Sequence, residues 1–163
     1  MEKISTELAV QTLEERGVTV EDLTKLVYDL QAPYVPNLNA ETCRYNVMCV
    51  LAKREVQNAL LTGIELDRLA EEKRLSSPLQ EIVAADEGLY GIDEIIALAI
   101  VNVYGSIGLT NFGYVDKIKP GIISELNNHG QTRCHTFLDD IVGAIAAAAS
   151  SRLAHSNEGV AED

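Results

Sequence analysis

The chain has 163 residues, 47% of them hydrophobic, with no Trp and 4 Pro, which suffices for one buried core and not for two. Against 13 Lys and Arg stand 25 Asp and Glu, a formal net charge of -12, which excludes nucleic acid held by phosphate neutralisation and disfavours an anionic membrane surface. Cys43, Cys49 and Cys134 are odd in number and lack CxxC spacing, so neither a disulfide framework nor a zinc site is expected, and a reducing cytoplasm is the expected home. Residues 5–16, with Leu8 and Leu13 facing inward and Gly17 as a stop, read as a first helix. Thr19 and Asp22 form a capping box for a second, with Leu23, Leu26, Val27 and Leu30 as its stripe. After an APYVPNL loop, Asn39 caps a long helix to about Thr62, with Val47, Val50, Leu51, Ala59 and Leu60 inside and Lys53, Arg54 and Glu55 outside. Gly63 is expected to end or bend it. A charged helix over 65–74 leads to SSP, where Ser77 is the candidate cap and Pro78 sits in the next helix's first turn. A helix over about 91–104, a loop rich in Gly and Asn through Gly113, a short helix near 120–127, a polar loop and a final long helix follow.

No alternating run is strong enough for a sheet, so the expected fold is all-α: a single-domain multihelical bundle over residues 1–155, with a polar tail over 156–163. One or two buried central helices are expected, because the last two long helices are apolar nearly all round. The longest near-apolar stretch, residues 95–109, is interrupted by Asn102 and Ser106 and falls short of the roughly 20 residues that span a bilayer, so no transmembrane segment is expected. Small residues along the last helix, Gly143, Ala147 and Ser150, permit close approach of a neighbouring helix or of a second copy, and a homo-oligomer, dimer or tetramer, is the expected assembly.

The two central helices open alike, one with IDEIIALAI and the other with LDDIVGAIAA. A capping box from Thr136 to Asp139, together with the helix dipole, explains one acid in such a position. Adjacent acids lie about 100° apart on a helix, so the second must point elsewhere. Either these acids are solvated, or Asp93, Glu94, Asp139 and Asp140 converge on a hard divalent cation. His129 and His135 flank the polar loop before Asp139 and are either surface residues or neighbours of the same site.

From about residue 88 to 153 the chain resembles the phosphatidylglycerophosphatase A family through three blocks in order: GIDEIIALAI, then YVDKIKP, then a polar loop ending in LDDIVGAIAA. Its nearest likeness within the family is to the soluble branch, the YutG-like or low-temperature-requirement C proteins. The resemblance implies a magnesium-dependent phosphatase, with manganese as a substitute, acting on a phosphomonoester of lipid-derived or soluble kind. It implies Asp93, Glu94, Asp116, Asp139 and Asp140 as the acidic, metal-binding residues, with Asp139, Asp140 and Lys119 in catalytic roles. Lys119 and His129, the latter in a His129-Gly130 pair, are implied as substrate-binding. Water attack and an aspartyl-phosphate route both remain open. Membrane-bound members of the family carry an upstream Gly-rich PGT segment with no counterpart in residues 30–60 here. That departure keeps a second reading in play, a non-catalytic, metal-stabilised helical oligomer with a scaffold or regulatory role.

Overall fold

The computed structural model describes residues 5–128 and 132–158. Among these the regular structure is entirely helical: α1 (Thr6–Glu15), α2 (Val20–Gln31), α3 (Ala40–Leu51), α4 (Arg54–Glu71), α5 (Leu79–Ala84), α6 (Ile92–Val101), α7 (Gly105–Ile118), α8 (Ile122–Asn127) and α9 (Leu138–Glu158), with a 3-10 turn (Asn102–Tyr104) between α6 and α7. Local chemistry sets several starts as the sequence predicts. The Ser5 hydroxyl accepts from the Leu8 N–H, Thr19 and Asp22 close a full capping box, and Asn39 Oδ1 accepts from the Thr42 N–H at 2.8 Å.

The architecture is a shell of helices around α9. α2, α3, α4, α6, α7 and α8 all pack on it, and every residue from Phe137 to Ser151 is buried. That explains a helix without a polar face: neighbours cover all its sides. Gly143 sits where an added Cβ would meet Val115 Cγ1 at 3.3 Å, Ile123 Cδ1 at 3.7 Å and Phe112 Cε2 at 3.7 Å. Gly143 therefore seats α7 and α8 of the same chain, and Gly143, Ala147 and Ser150 are all buried within it and not available to a second copy.

Several expectations are corrected, and Leu8, expected to face inward, is exposed. The long helix from Asn39 breaks at Ala52 and Lys53, where the Gln57 side chain donates to the Leu51 carbonyl oxygen at 2.8 Å and satisfies the end of α3. Gly63 does not end a helix; α4 runs through it to Glu71, absorbing the predicted charged helix, and a Cβ there would meet Ile141 Cδ1 at 2.4 Å and Phe137 Cβ at 3.0 Å. Packing, not termination, selects that glycine. Ser77 makes no cap, and α5 starts after Pro78 without a side-chain cap. The predicted Gly-rich and Asn-rich loop is the helix α7.

α6 is less central than its sequence suggests. Ala97, Ile100 and Val101 face inward, while Ile92, Ile95 and, just beyond, Val103 are exposed, and Leu109, Tyr114 and Ile118 of α7 are exposed as well. By length and composition the run Ile92–Ile118, 27 residues, is apolar enough to cross a membrane. The 3-10 turn and Gly105, at φ 75°, divide it into helices of 10 and 14 residues, each below the roughly 20 that a single span requires. α9 continues past His155 to Glu158; residues 159–163 of the predicted tail, and His129 with Gly130, lie outside the described residues.

Candidate functional site

The head of α9 is fixed by groups distant in sequence. Asp67, on α4, accepts from the Phe137 N–H at 3.1 and 3.2 Å through its two oxygens and from the Leu138 N–H at 3.0 Å. These are first-turn amides that α9 cannot satisfy itself. The Thr136 hydroxyl, expected as the cap, instead donates to the Val83 carbonyl oxygen at 2.7 Å. Just upstream, Cys134 N–H donates to Glu71 Oε1 at 2.7 Å, and the Cys134 carbonyl oxygen accepts from Arg16 Nη2 at 2.8 Å; Arg16 and Glu71 are themselves paired. His135 Nδ1 lies 3.1 Å from the Leu126 carbonyl oxygen at the end of α8. Four helices, α1, α4, α8 and the end of α5, thus grip the segment leading into the acidic pair.

That pair is buried, with Asp139 5% and Asp140 7% exposed. The Asp140 N–H donates to Asp139 Oδ1 at 2.8 Å, which turns Asp139 Oδ2 toward the Lys119 ammonium, 3.6 Å away. Lys119 follows α7 in the left-handed region at φ 43°, its N–H donating to the Val115 carbonyl oxygen at 2.8 Å. From there its Nζ also lies 3.4 Å from Asp116 Oδ1. Asp93, in the first turn of α6, brings a further carboxylate, whose Oδ1 is buried with no hydrogen-bond partner among the described residues. Glu94, one step further round α6, is exposed and stays outside.

The electrostatics follow from crowding like charges in a half-dry place. Burial, opposed by Lys119, pushes Asp139 up to about 6. Burial and then the charges of Asp139, Asp93 and Asp116 push Asp140 up to about 8. Asp93 is raised by burial and by the charges of Asp86 and Asp116. Burial works against the Lys119 ammonium, yet Asp139, Asp116 and Asp140 outweigh it and hold its proton more tightly than usual.

Among the described residues no three acidic, histidine or cysteine side chains close tightly enough on one point to hold a metal ion by themselves. The donor set nevertheless suits a hard cation, because it offers carboxylate oxygens and leaves one of them, Asp93 Oδ1, buried without a hydrogen-bond partner among the described residues. Magnesium needs no all-protein cage: it keeps several waters and binds through one or two carboxylates plus a substrate phosphate.

Comparison with known proteins fits this arrangement. The family model described as Phosphatidylglycerophosphatase A matches residues 10–155. The chain belongs to the phosphatidylglycerophosphatase A family. It is 64% identical over 143 residues to the Bacillus subtilis (strain 168) protein YutG, covering 88% of this chain and 86% of that one. YpjQ of the same strain is 58% identical over 151 residues, 93% of this chain and 85% of that protein. The crystal structure of the low temperature requirement C protein from Listeria monocytogenes superposes with a TM-score of 0.93 at 60% identity, covering 97% of this chain and 99% of that one. Of the acids at this cluster, the sequence pointed to Asp93, Asp139 and Asp140 directly and to Asp116 through the resemblance. It missed Asp67, which sits inside the charged run ELDRLAEEKR and reads there as one more solvated acid, and Asp86, which precedes the DE block by seven residues.

Proposed function

We propose that this member of the phosphatidylglycerophosphatase A family is a magnesium-dependent phosphatase that hydrolyses a phosphate monoester. The observation that carries the reading is the buried Asp139–Asp140 pair facing Asp93 and Asp116, with the Lys119 ammonium against Asp116 and Asp139. Asp93, Asp116, Asp139 and Asp140 would hold the cation, which when bound supplies charge neutralisation and an activated water. Lys119 binds a phosphate oxygen and neutralises charge developing on the transferred phosphoryl group. Its two aspartate contacts keep it charged and aimed. Asp139, fixed by the Asp140 N–H, orients the attacking water through Oδ2. Cys43, Cys49 and Cys134 are all unpaired thiols, which agrees with the reducing cytoplasm proposed as its location.

A second reading, a non-catalytic metal-stabilised oligomer, is favoured by the exposed apolar side chains of α6 and α7. One experiment separates the two. Phosphate release is screened with and without magnesium across soluble phosphomonoesters and lipid phosphomonoesters in mixed micelles, using wild type and Asp139→Asn. Magnesium-dependent release lost in the variant is the expected result. No release from any ester, with magnesium still raising the melting point, would leave the scaffold.

A further inference from the structure

A cavity of about 400 Å³ lies between α2 and α7. Its wall is apolar where Leu26 and Leu30 of α2 meet Ile118 of α7. Gly121 brings the chain beyond α7 down onto α2, since a Cβ there would come 3.2 Å from Leu26 Cδ2, and Pro120 lines that end. After α2 the chain turns back, the N–H groups of Tyr34 and Val35 both donating to the Gln31 carbonyl oxygen at 2.9 Å. Two lining tyrosines, Tyr34 and Tyr114, are 79% and 56% exposed and stand at the rim. Tyr114 and Ile118 are one turn apart, whereas Asp116, two residues from each, lies about 160° round the helix. The cavity and the acidic cluster are therefore on opposite sides of α7.

A separate observation marks the cavity as a ligand site. Gln31 lines it, is only 7% exposed, and among the described residues no hydrogen bond reaches its side-chain amide. Buried amides are kept where something bonds to them. Gln57 and Asn46, buried to similar depth, use theirs within the fold: Gln57 donates to the Leu51 carbonyl oxygen at 2.8 Å and Asn46 to the Thr42 carbonyl oxygen at 2.9 Å. Asn111, half-buried on α7, offers the cavity a second amide. Charge then selects the ligand. Among the described residues no Lys, Arg or His lines the cavity, and its one acid, Asp29, is exposed and paired with Lys25 at 2.6 Å. A phosphate or carboxylate finds no cation there, in a chain of net charge -12.

We propose that this cavity binds a small uncharged flat ring with an amide edge, the chemistry shared by nucleobases and aromatic carboxamides. The tyrosine rings and Ile118 cover the ring, and the amides of Gln31 and Asn111, each with donors and an acceptor, pair with its edge. The volume sits near the small end of the range for ligand sites, about 300–1,000 Å³, which suits a molecule of that size. The proposal stands apart from the magnesium-dependent reading, because none of its residues belongs to the acidic cluster.

Titration of the ¹⁵N-labelled full chain with uracil and with benzamide, followed through the side-chain amide signals of Gln31 and Asn111, tests it without metal or substrate. At least one of the two is expected to bind with a Kd of about 1 mM or tighter. Tighter binding of uracil assigns the site to nucleobases, and tighter binding of benzamide assigns it to carboxamides. Benzoate and inorganic phosphate are expected to bind at least about tenfold more weakly than the better of the two. Gln31→Leu, of similar bulk without the amide, should weaken that binding at least about tenfold, and Tyr114→Ala at least about threefold. Tyr114→Ala replaces an exposed ring and serves where Gln31→Leu fails to fold. Asp139→Asn, across α7, should leave binding within about twofold of wild type. Amide signals that stay still with about 5 mM of either probe overturn the proposal, as does benzoate that binds as tightly as the better probe. Binding unchanged in folded Gln31→Leu, or in Tyr114→Ala, would place the ligand elsewhere and overturn it too.

Discussion

Replacing Asp67 with Ala removes the acceptor shared by the Phe137 and Leu138 amides at the head of α9. Each buried N–H left without a partner costs about 1–3 kcal/mol, so a loss of about 2–5 kcal/mol is expected when the carboxyl is neutral. The size of the effect should depend on pH. Burial pushes Asp67 from 3.8 up to about 7, although the Phe137 and Leu138 amides, the Cys134 thiol and Arg16 pull it down. A carboxyl whose folded pKa lies above its unfolded value holds its proton more tightly when folded, so the stability it contributes is complete below about pH 4 and is lost as pH rises through about 7. At about 1.4 kcal/mol per tenfold change in acidity, the gap from 3.8 to about 7 is worth about 4 kcal/mol. Urea unfolding of wild type and Asp67→Ala, followed by far-UV circular dichroism at pH 5, 6, 7 and 8, reads the difference directly. The variant should be weaker by up to about 3 kcal/mol at pH 5, where the unfolded carboxyl is already ionised, and the two stabilities should converge toward pH 8. A difference that widens with pH would refute the reasoning, because it would mean that the amide donors keep the buried carboxylate ionised.

Lys119→Ala should remove most phosphatase activity and, because the lysine is partly exposed and its ion pairs are screened, lower the metal-free stability by no more than about 1 kcal/mol, read by thermal melts beside steady-state turnover. Gly63→Ala places a methyl against Ile141 Cδ1 and Phe137 Cβ and should cost about 1–3 kcal/mol in urea unfolding. The outer face of α6 and α7 should be covered by a second copy: light scattering at micromolar concentration is expected to give at least a dimeric mass for wild type and a monomeric mass for Ile95→Lys. A monomeric wild type would end the oligomer proposal.

Legibility in the sequence followed the range of the interactions. The Thr19–Asp22 box, the Asn39 cap and the all-helical class depend on neighbours in sequence, and they are read correctly from it. The break at Ala52 and Lys53 carries no Gly or Pro, and what stabilises it is a glutamine side chain six residues from the carbonyl it satisfies. Gly63 and Gly108 look like punctuation, yet both lie inside helices where another part of the chain comes close: α9 at Gly63, the Val101 carbonyl oxygen at 3.1 Å from a Cβ at Gly108. The acidic pairs drew notice because adjacent acids cannot all be caps. Glu94 shared that signature and is exposed, whereas Asp67 lacked it and matters through tertiary contact. Pattern identifies acids that need an explanation, and only packing decides which of them turn inward.

The grip on the segment before α9 also fixes when the site can exist. Arg16 and Cys134 are 118 positions apart, and Asp67 and Phe137 are 70. During synthesis α1 to α8 emerge before the helix that fills the space between them, so their inner faces wait without an occupant, as an incomplete socket that is prone to stick to other chains. Asp139 and Asp140 then arrive on the same element that closes the core. Assembly of the acidic cluster and completion of the core are in this way one event, and a chain that stopped short of α9 would have neither.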